Sequence, residues 1–359
     1  MEAVVTPSGR LRAAYKGKRV LITGHTGFKG AWLSLWLTEL GAEVTGFADG
    51  VPTRPSHFEA LRLDHPTLFG DIADADAVKA AVAAARPEIV FHLAAQSLVR
   101  RSYADPVTTW RTNLMGTLTL LDACRAQGGV AAFVSATTDK VYRNREWERG
   151  YREEDELGGD DPYSASKACV ELLTDSWRRS FLGEGGMKLA SVRAGNVIGG
   201  GDWAEDRLLP DIMRAAHEGA PLVIRYPRSS RPWQHVLDPL SGYLQVGMAL
   251  LDGADGAAEA WNFGPVGRSR VRVRDIVEAL RDQLGGLSVA EAPDTAGRHE
   301  AGLLELDSAK AVTKLGWHPV WEEEMLARTL DWYAAYYGEG RLLSAVQLAD
   351  YMRALDGAA

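Results

Sequence analysis

Cysteine and net positive charge are both scarce in this chain of 359 residues. Its two cysteines, Cys124 and Cys169, form no Cys-x-x-Cys pair, which argues against a disulfide framework or a thiolate metal site, and we expect no metal. The formal net charge of -8 at pH 7 argues against a nucleic-acid surface, which needs a basic face. No stretch reaches the roughly 20 apolar residues of a membrane span, and the N-terminus lacks the apolar core of a signal peptide. These absences predict a cytoplasmic protein that binds neither nucleic acid nor membranes.

Short apolar runs alternate with helical patterns through the first half of the chain. Strand-like runs cover 19–24, 42–48, 88–95 and 131–136, and helical patterns cover 30–40, 77–85 and 113–127. Near-continuous apolar strands separated by helices indicate a parallel sheet covered on both faces. The sequence therefore predicts an α/β fold with a doubly wound parallel, Rossmann-type sheet.

The rhythm changes after residue 196, where glycine, proline and tryptophan cluster and short helices follow. We predict a first, sheet-containing domain over 1–196, to which segments around 235–267 return. A second, smaller and mostly helical domain is predicted over 197–359. Sheet ligands bind outside the carboxyl ends of the strands, so the cleft should lie between the two domains.

The segment TGHTGFKG places Gly24, Gly27 and Gly30 between a predicted strand and a predicted helix. Glycines at this spacing let the backbone approach a diphosphate, and the helix N-terminus supplies partial positive charge. Glycines are common in any strand-to-helix turn, but the strand–loop–helix context favours a dinucleotide site.

Asp49 and Asp71 follow the next two predicted strands, and each has two possible roles. Asp49 could bind the adenosine ribose hydroxyls or simply begin a turn, and Arg54 could instead meet a 2′-phosphate, so the sequence favours NAD over NADP only slightly. Asp71 could contact the adenine amino group or cap the helix that begins near Asp74.

The segment YSASK places Tyr163 and Lys167 four residues apart, on one face of a predicted helix. A neighbouring ammonium lowers the pKa of a phenol, so Tyr163 could accept a proton from a sugar hydroxyl while hydride leaves the same carbon. Thr138 lies at the tip of a predicted strand and would complete the hydride-transfer set. Asp139 and Lys140 follow it, and they are either a solvated strand end or further catalytic groups.

Several motifs together resemble the CDP-glucose 4,6-dehydratase family of the extended short-chain dehydrogenase/reductase superfamily. They are the glycine loop with its tryptophan-rich helix, TTDKVY, YSASK, RAGNVIGGGDWAEDRLLPD and RPWQHVLDPLSGYL. The resemblance covers about 18–337 and implies that domain 1–196 binds NAD and domain 197–359 binds the nucleotide sugar. It also implies a homodimer, paired through the helices near 113–127 and 163–180.

The resemblance implies a reaction in three stages. Tyr163 acts as base while C4 of the glucose is oxidised, and the ketone then acidifies the proton on C5. A base at Lys140 or nearby removes that proton, Asp139 protonates the departing C6 hydroxyl, and the hydride returns to C6. The related dTDP-glucose enzymes have Asp-Glu where this chain has Asp139 and Lys140. A lysine base must be partly neutral, which requires desolvation or a nearby cation.

The remaining site residues are expected from matching family motifs. Cofactor-binding residues would be Gly24, Thr26, Gly27, Phe28, Gly30, Asp49, Asp71, Ile72, Ala94, Ala95, Tyr163 and Lys167. Substrate-binding residues would be Gln96, Ser97, Asn196, Arg207, Leu208, Arg231 and His299. Arginines suit phosphate oxygens, although most arginines are ordinary surface residues. Recognition of cytosine depends on the resemblance alone.

Three other functions compete with this one. An inverting UDP-N-acetylglucosamine 4,6-dehydratase also uses an Asp-Lys pair but tends to lack the GGGDWAEDR block. A sugar 4-epimerase needs no such pair. A non-catalytic NAD-binding scaffold or redox sensor would not need Thr138, Tyr163 and Lys167 together, and their presence argues against it.

Overall fold

The computed structural model describes residues 6–181, 186–224, 227, 229–267, 271–284, 287–291 and 303–358. Strands are β1 (Arg19–Thr23), β2 (Glu43–Ala48), β3 (Thr67–Phe69), β4 (Ile89–His92), β5 (Ala132–Ala136), β6 (Lys188–Ala194), β7 (Val197–Ile198), β8 (Leu222–Ile224), β9 (Ser230–Arg231), β10 (Gln234–His235), β11 (Ala260–Phe263), β12 (Val271–Arg272) and β13 (Val289–Glu291).

Helices separate most of these strands. They are α1 (Pro7–Tyr15), α2 (Phe28–Glu39), α3 (His57–Leu61), α4 (Ala75–Ala85), α5 (Val99–Ala104), α6 (Pro106–Trp110), α7 (Gly116–Gln127), α8 (Pro162–Phe181), α9 (Leu208–Glu218), α10 (Leu237–Leu251), α11 (Val273–Gln283), α12 (Ala309–Leu315), α13 (Met325–Glu339) and α14 (Ser344–Gly357). A π-helical turn (Arg111–Met115) precedes α7, and a 3₁₀ turn (Asp139–Val141) follows β5.

Seven of the described strands form one sheet in the order β11-β6-β5-β4-β1-β2-β3, with every neighbouring pair parallel. The register places Thr23 of β1 opposite His92 of β4 and Phe47 of β2. The predicted doubly wound parallel sheet is confirmed. The chain runs from β1 outward to β3 and then crosses back to β4, so β1 and β4 flank the topological switch point, where such sheets bind ligands.

Helix α2 is buried on all sides, from Gly30 through Leu37. The sheet covers one face, and elements from the end of the chain cover another. Trp36 packs edge-on against Tyr351 of α14 at a centroid distance of 5.4 Å, and the Trp32 indole donates a hydrogen bond to the Gly200 carbonyl at 2.9 Å. This double coverage explains why α2 is apolar on every side rather than amphipathic.

The C-terminal region is mostly helical, as predicted, and Asp238 at the start of α10 fastens part of it. One carboxylate oxygen of Asp238 accepts hydrogen bonds from the backbone N–H groups of Val320 and Trp321 and from the Tyr351 hydroxyl, at 2.7, 3.3 and 2.9 Å. Burial raises the pKa of Asp238 to about 6, although these hydrogen bonds oppose the shift. The carboxyl therefore ties α10 to α14 and to the segment before α13.

The largest apolar core joins residues from both sides of the predicted boundary at 196/197, including Trp36 and Trp332. Strand β11, near the end of the segment 235–267, lies at one edge of the main sheet beside β6. The division into two domains stays a prediction. Among the described helices, none has the length and apolar character that crossing a membrane requires.

Candidate active site

A cleft of about 1330 Å³ opens at the carboxyl ends of the central strands. Its walls come from the glycine loop after β1, the tip of β5, the first turns of α8 and the segment from 194 to 211. Pockets for a single small ligand usually measure about 300–1,000 Å³. The cleft therefore has room for more than one small molecule, such as a dinucleotide beside a nucleotide sugar.

Each of the three glycines of the loop occupies its position for a different physical reason. Gly24 has φ +72°, and a Cβ there would lie 2.7 Å from the Ala94 nitrogen, while a Cβ at Gly30 would lie 2.2 Å from the Gly24 oxygen. Both positions are too tight for any side chain. A Cβ at Gly27 would meet only the Gly24 oxygen at 3.4 Å, an ordinary contact. Gly27 caps α2 without a side chain and leaves the helix N-terminus accessible from the cleft, which fits a cofactor diphosphate.

The structure places all of the predicted cofactor-binding residues in the lining of the cleft. The lining includes Gly24, Thr26, Gly27, Phe28, Gly30, Asp49, Asp71, Ile72, Ala94, Ala95, Tyr163 and Lys167. The Thr26 hydroxyl donates to the Gly50 carbonyl at 2.7 Å and so fixes the loop to the end of β2. Asp49 and Arg54 are both exposed and both border the cleft.

Asp71 does not cap the following helix. The N-cap of α4 is Asp74, whose carboxylate accepts from the N–H groups of Asp76 and Ala77 at 3.0 and 3.2 Å. Asp71 instead pairs with Arg111 at 2.8 Å and lies at the cleft wall. The capping interpretation is therefore wrong, and contact with a ligand stays a prediction.

The tip of β5 carries an acid that is shielded from bulk solvent. Asp139 is only 2% exposed, and one of its oxygens accepts a hydrogen bond from the Thr138 hydroxyl at 2.9 Å. Its other oxygen has no hydrogen-bond partner in the part of the chain that the structure describes. Lys140 is half-buried at the cleft wall. Asp139 is thus not a solvated strand end, because a buried carboxyl oxygen without a partner is costly and points to a ligand contact.

Tyr163 and Lys167 lie one helical turn apart and are 8% and 4% exposed. The Lys167 ammonium donates to the Ala136 carbonyl at 3.0 Å, and burial lowers the pKa of Lys167 to about 8. Burial also raises the pKa of Tyr163 to about 12, while a hydrogen bond with the Thr138 side chain acts in the opposite direction. That the Lys167 ammonium lowers the pKa of Tyr163 stays a prediction.

A buried ion pair lies directly behind the catalytic candidates. Arg193 of β6 pairs with Glu171 of α8 at 2.8 Å, and both side chains are at most 3% exposed. Glu171 also accepts from the hydroxyls of Ser191 and Thr137 at 2.6 and 2.5 Å, and Arg193 donates to the Tyr142 hydroxyl at 2.6 Å. Burial raises the pKa of Glu171, but Arg193 and the hydrogen bonds outweigh it, so the pKa is lowered. The pair therefore stays charged and connects α8 to β5 and β6.

Five of the predicted substrate-binding residues also line the cleft, namely Gln96, Ser97, Asn196, Arg207 and Leu208. Arg207 pairs with Asp202 at 2.9 Å and donates to the Ser97 hydroxyl at 3.4 Å, and Leu208 begins α9 beside it. Asn196 lies at the cleft wall just beyond β6.

The side-chain amide of Gln96 is already hydrogen-bonded within the protein, and the side chains of Arg231 and His299 are not described. The Gln96 side chain donates to the Leu98 carbonyl and the Thr109 hydroxyl at 3.1 and 3.0 Å, so its amide holds the loop after β4. Only the backbone of Arg231 is described, in β9, and His299 lies outside the described residues. Their substrate contacts stay predictions.

Sequence reasoning missed several residues of the site. Lys29, Arg100 and Arg101 border the cleft, and Glu171 and Tyr243 lie behind it. Glu171 follows Lys167 by four residues, so the spacing of YSASKACVE carried a signal. Lys29 is the charged residue of an otherwise apolar first turn in α2, which was a second signal. No group of three or more potential metal ligands occurs among the described histidine, cysteine, aspartate and glutamate residues.

Known proteins are similar to this chain in sequence. The profile of the NAD dependent epimerase/dehydratase family matches residues 20–264. The chain is 48% identical to CDP-glucose 4,6-dehydratase of Salmonella typhimurium, over 95% of this chain and 98% of that protein. It is 34% identical to dTDP-glucose 4,6-dehydratase of Streptomyces antibioticus, over 74% of this chain and 75% of that protein.

A solved structure has the same fold. The dTDP-glucose 4,6-dehydratase of Streptomyces venezuelae, solved with NAD bound, superimposes with a TM-score of 0.77 at 27% identity. The match covers 89% of this chain and 98% of that one.

The buried pair generates a prediction about stability. Glu171→Gln and Arg193→Met should each lower the free energy of unfolding by about 3–5 kcal/mol, because each leaves an uncompensated buried charge. The double variant should cost less than the sum of the two, since neither charge then remains. Urea unfolding of the four proteins measures the coupling. Asp122→Asn breaks the exposed pair with Arg125 and should cost at most about 1 kcal/mol. Single variants as mild as this control would contradict the prediction.

Proposed function

Since the chain belongs to the NAD dependent epimerase/dehydratase family, we propose that it dehydrates CDP-glucose to CDP-4-keto-6-deoxyglucose for deoxysugar biosynthesis. The observation that supports this most directly is Asp139, a buried acid with an unpartnered oxygen, beside Thr138 and Tyr163. A 4-epimerase needs only the hydride-transfer set. An added acid in contact with that set supports elimination of water as well.

Bound NAD would supply a reversible hydride carrier between C4 and C6 of the sugar. The glycine loop would hold its diphosphate at the N-terminus of α2, Asp49 would bind the adenosine ribose, and Lys167 the nicotinamide ribose. These residues fit the cofactor because Gly27 leaves the helix end accessible and all of them border the same cleft.

The chain's own residues carry the proton transfers. Tyr163 takes the C4 hydroxyl proton while Thr138 holds the same hydroxyl. Its phenol, with a pKa of about 12 in this structure, needs further positive charge nearby to act as a base at neutral pH. Asp139 then donates a proton to the departing C6 hydroxyl. A base at Lys140 or nearby removes the C5 proton and afterwards returns one, so the sugar loses one water in total.

The nucleotide sugar would lie beside Arg207 and Asn196, which both line the cleft. Arg207 keeps one side of its guanidinium on Asp202, and its remaining N–H groups suit a diphosphate oxygen. The assignment of cytidine rests on the 48% identity to CDP-glucose 4,6-dehydratase of Salmonella typhimurium, against 34% to a dTDP-glucose enzyme.

The first test is the product. Incubated separately with CDP-, dTDP- and UDP-glucose without added reductant, the protein should convert CDP-glucose fastest to a 4-keto-6-deoxy sugar. NADH should not accumulate, because the hydride removed from C4 returns to C6. Mass spectrometry of the sugar measures product formation, and absorbance measures any accumulation of NADH. Tyr163→Phe is the control and should give neither product nor NADH. Stoichiometric NADH alongside product would refute the closed cycle.

The second test separates elimination from oxidation. Asp139→Asn and Lys140→Met should both bind NAD and still oxidise C4, but turnover should fall by roughly 10²–10⁴-fold, as is typical when a positioned acid or base is removed. Lys140→Met should lose deuterium exchange at C5, whereas Asp139→Asn should retain it while failing to expel water. Single-turnover NADH absorbance and mass spectrometry distinguish the variants. Near-normal dehydration by Lys140→Met would show that Lys140 is not the C5 base.

We further propose a homodimer that pairs through α7, α8 and the turns before α7. Met115 and Leu172 are 48% and 58% exposed on these elements, and Val107 of α6 is 75% exposed. Apolar side chains on a surface helix favour a self-complementary contact. A cytoplasmic location also stays a prediction.

The dimer can be tested with one matched pair of variants. Light scattering at micromolar concentration should give twice the chain mass, and Leu172→Glu should shift the protein towards monomer, because a charge in an apolar contact is costly. Val346→Glu replaces a similarly exposed residue on α14 and should leave the mass unchanged. A monomeric mass for the unaltered protein would refute the proposal.

A further inference from the structure

Tyr333 of α13 is completely buried and lies outside the lining of the cleft, yet its hydroxyl contacts a loop that borders the cleft. The hydroxyl donates a hydrogen bond to the Asp202 carbonyl at 2.5 Å and accepts one from the Asp202 N–H at 3.1 Å. Both contacts are to backbone atoms of one residue, so the phenol fixes the path of the chain at that point. No step of the proposed reaction uses Tyr333.

Other side chains of α13 hold the same loop, which runs from β7 to α9. A Cβ at Gly200 would lie 2.0 Å from the ring of Trp332, so the loop backbone lies directly against that indole. The Trp203 indole donates a hydrogen bond to the Tyr337 hydroxyl at 2.9 Å. Together with the contacts at Asp202, these interactions fix successive positions of the loop on one helix.

The side chain of Asp202 connects this fixed backbone to Arg207. Asp202 is only 4% exposed, and one carboxylate oxygen accepts a hydrogen bond from the Ala204 N–H at 3.0 Å, while the other pairs with the Arg207 guanidinium at 2.9 Å. Asp202 and Arg207 both border the cleft. A guanidinium is planar and its donors point in fixed directions, so the carboxylate that binds one edge sets the direction of the remaining N–H groups. The orientation of Arg207 therefore depends on where the backbone of Asp202 lies.

We propose that Tyr333 is a positioning residue for substrate binding: through Asp202 it holds Arg207 in the orientation that the diphosphate of the nucleotide sugar requires. The inference rests on the proposed function, since it needs a nucleotide diphosphate beside Arg207. Paired hydrogen bonds between a guanidinium and a phosphate have a strict geometry, so a displaced loop would lower the affinity. Tyr333 does not border the cleft, so the hydride and proton transfers should not depend on it.

The experiment uses Tyr333→Phe, which removes only the hydroxyl. The KM for CDP-glucose should rise about tenfold, the change expected when a hydrogen bond to a charged group is lost. The kcat should stay within about twofold, because the residue contributes to binding and not to the chemical steps. The inhibition constant of CDP should rise by the same factor as KM, whereas that of cytidine, which carries no phosphate, should stay unchanged.

Tyr336→Phe is the matched control on the same helix. The Tyr336 ring packs against Trp203 at a centroid distance of 5.0 Å, but its hydroxyl forms no hydrogen bond with the described residues. This variant should leave KM, kcat and both inhibition constants unchanged.

A double-variant cycle tests whether Tyr333 acts through Arg207. Arg207→Met should weaken CDP more than Tyr333→Phe does, and the two changes together should add little to Arg207→Met, because the group that Tyr333 positions is then absent. An unchanged KM in Tyr333→Phe, equal losses for CDP and cytidine, or fully additive losses would each overturn the inference.

The folding of Tyr333→Phe is checked by its melting curve. If it melts below the assay temperature, Tyr337→Phe, which removes the acceptor of the Trp203 indole on the same loop, is measured in its place and should give the same pattern. Failure of the proposed function is distinct, because the unaltered protein would then form no 4-keto sugar.

Discussion

The buried pair between Glu171 and Arg193 fixes the relative positions of the elements that carry the catalytic candidates. Glu171 lies one helical turn after Lys167 on α8 and accepts a hydrogen bond from Thr137, the neighbour of Thr138 at the tip of β5. Arg193 lies on β6 and contacts Tyr142, just beyond Lys140. A charged pair removed from water is stable only when each partner is satisfied, so α8, β5 and β6 can adopt few other arrangements. The proton-transfer groups depend on that restriction.

Charge is distributed unevenly between this support and the cleft in front of it. Behind the catalytic candidates the ionic groups are paired and hydrogen-bonded. In the cleft, Lys29 and Lys167 are desolvated cations with lowered pKa values, and Arg207 is paired with the carboxylate of Asp202. The cleft lining as a whole contains acidic and basic side chains in nearly equal numbers, so the positive charge is local to these three basic residues. A local cluster of cations suits the phosphate groups of the two proposed anionic ligands.

Much of the site could be predicted because its signals are local in sequence. The glycine spacing and the Tyr163–Lys167 repeat each place groups within a few residues of one another, and the structure brings both to one cleft. Predictions about the surroundings of individual side chains were less successful than predictions from these local motifs. Asp74 rather than Asp71 caps α4, and burial raises the pKa of Tyr163, which the motif did not indicate. Both depend on which atoms surround a side chain, and such surroundings come from distant parts of the chain.

The sequence by itself determined the class of fold, the family and the set of hydride-transfer groups, because periodicity and short motifs record contacts between near neighbours. Tertiary structure alone decided which charges meet. It buried Asp139 with one oxygen unpartnered, placed Lys29 above Tyr243, and joined Glu171 to Arg193 across 22 residues of sequence. Desolvation and Coulomb energy depend on distances in space, and the order of residues along the chain does not contain those distances until the sheet and helices have packed.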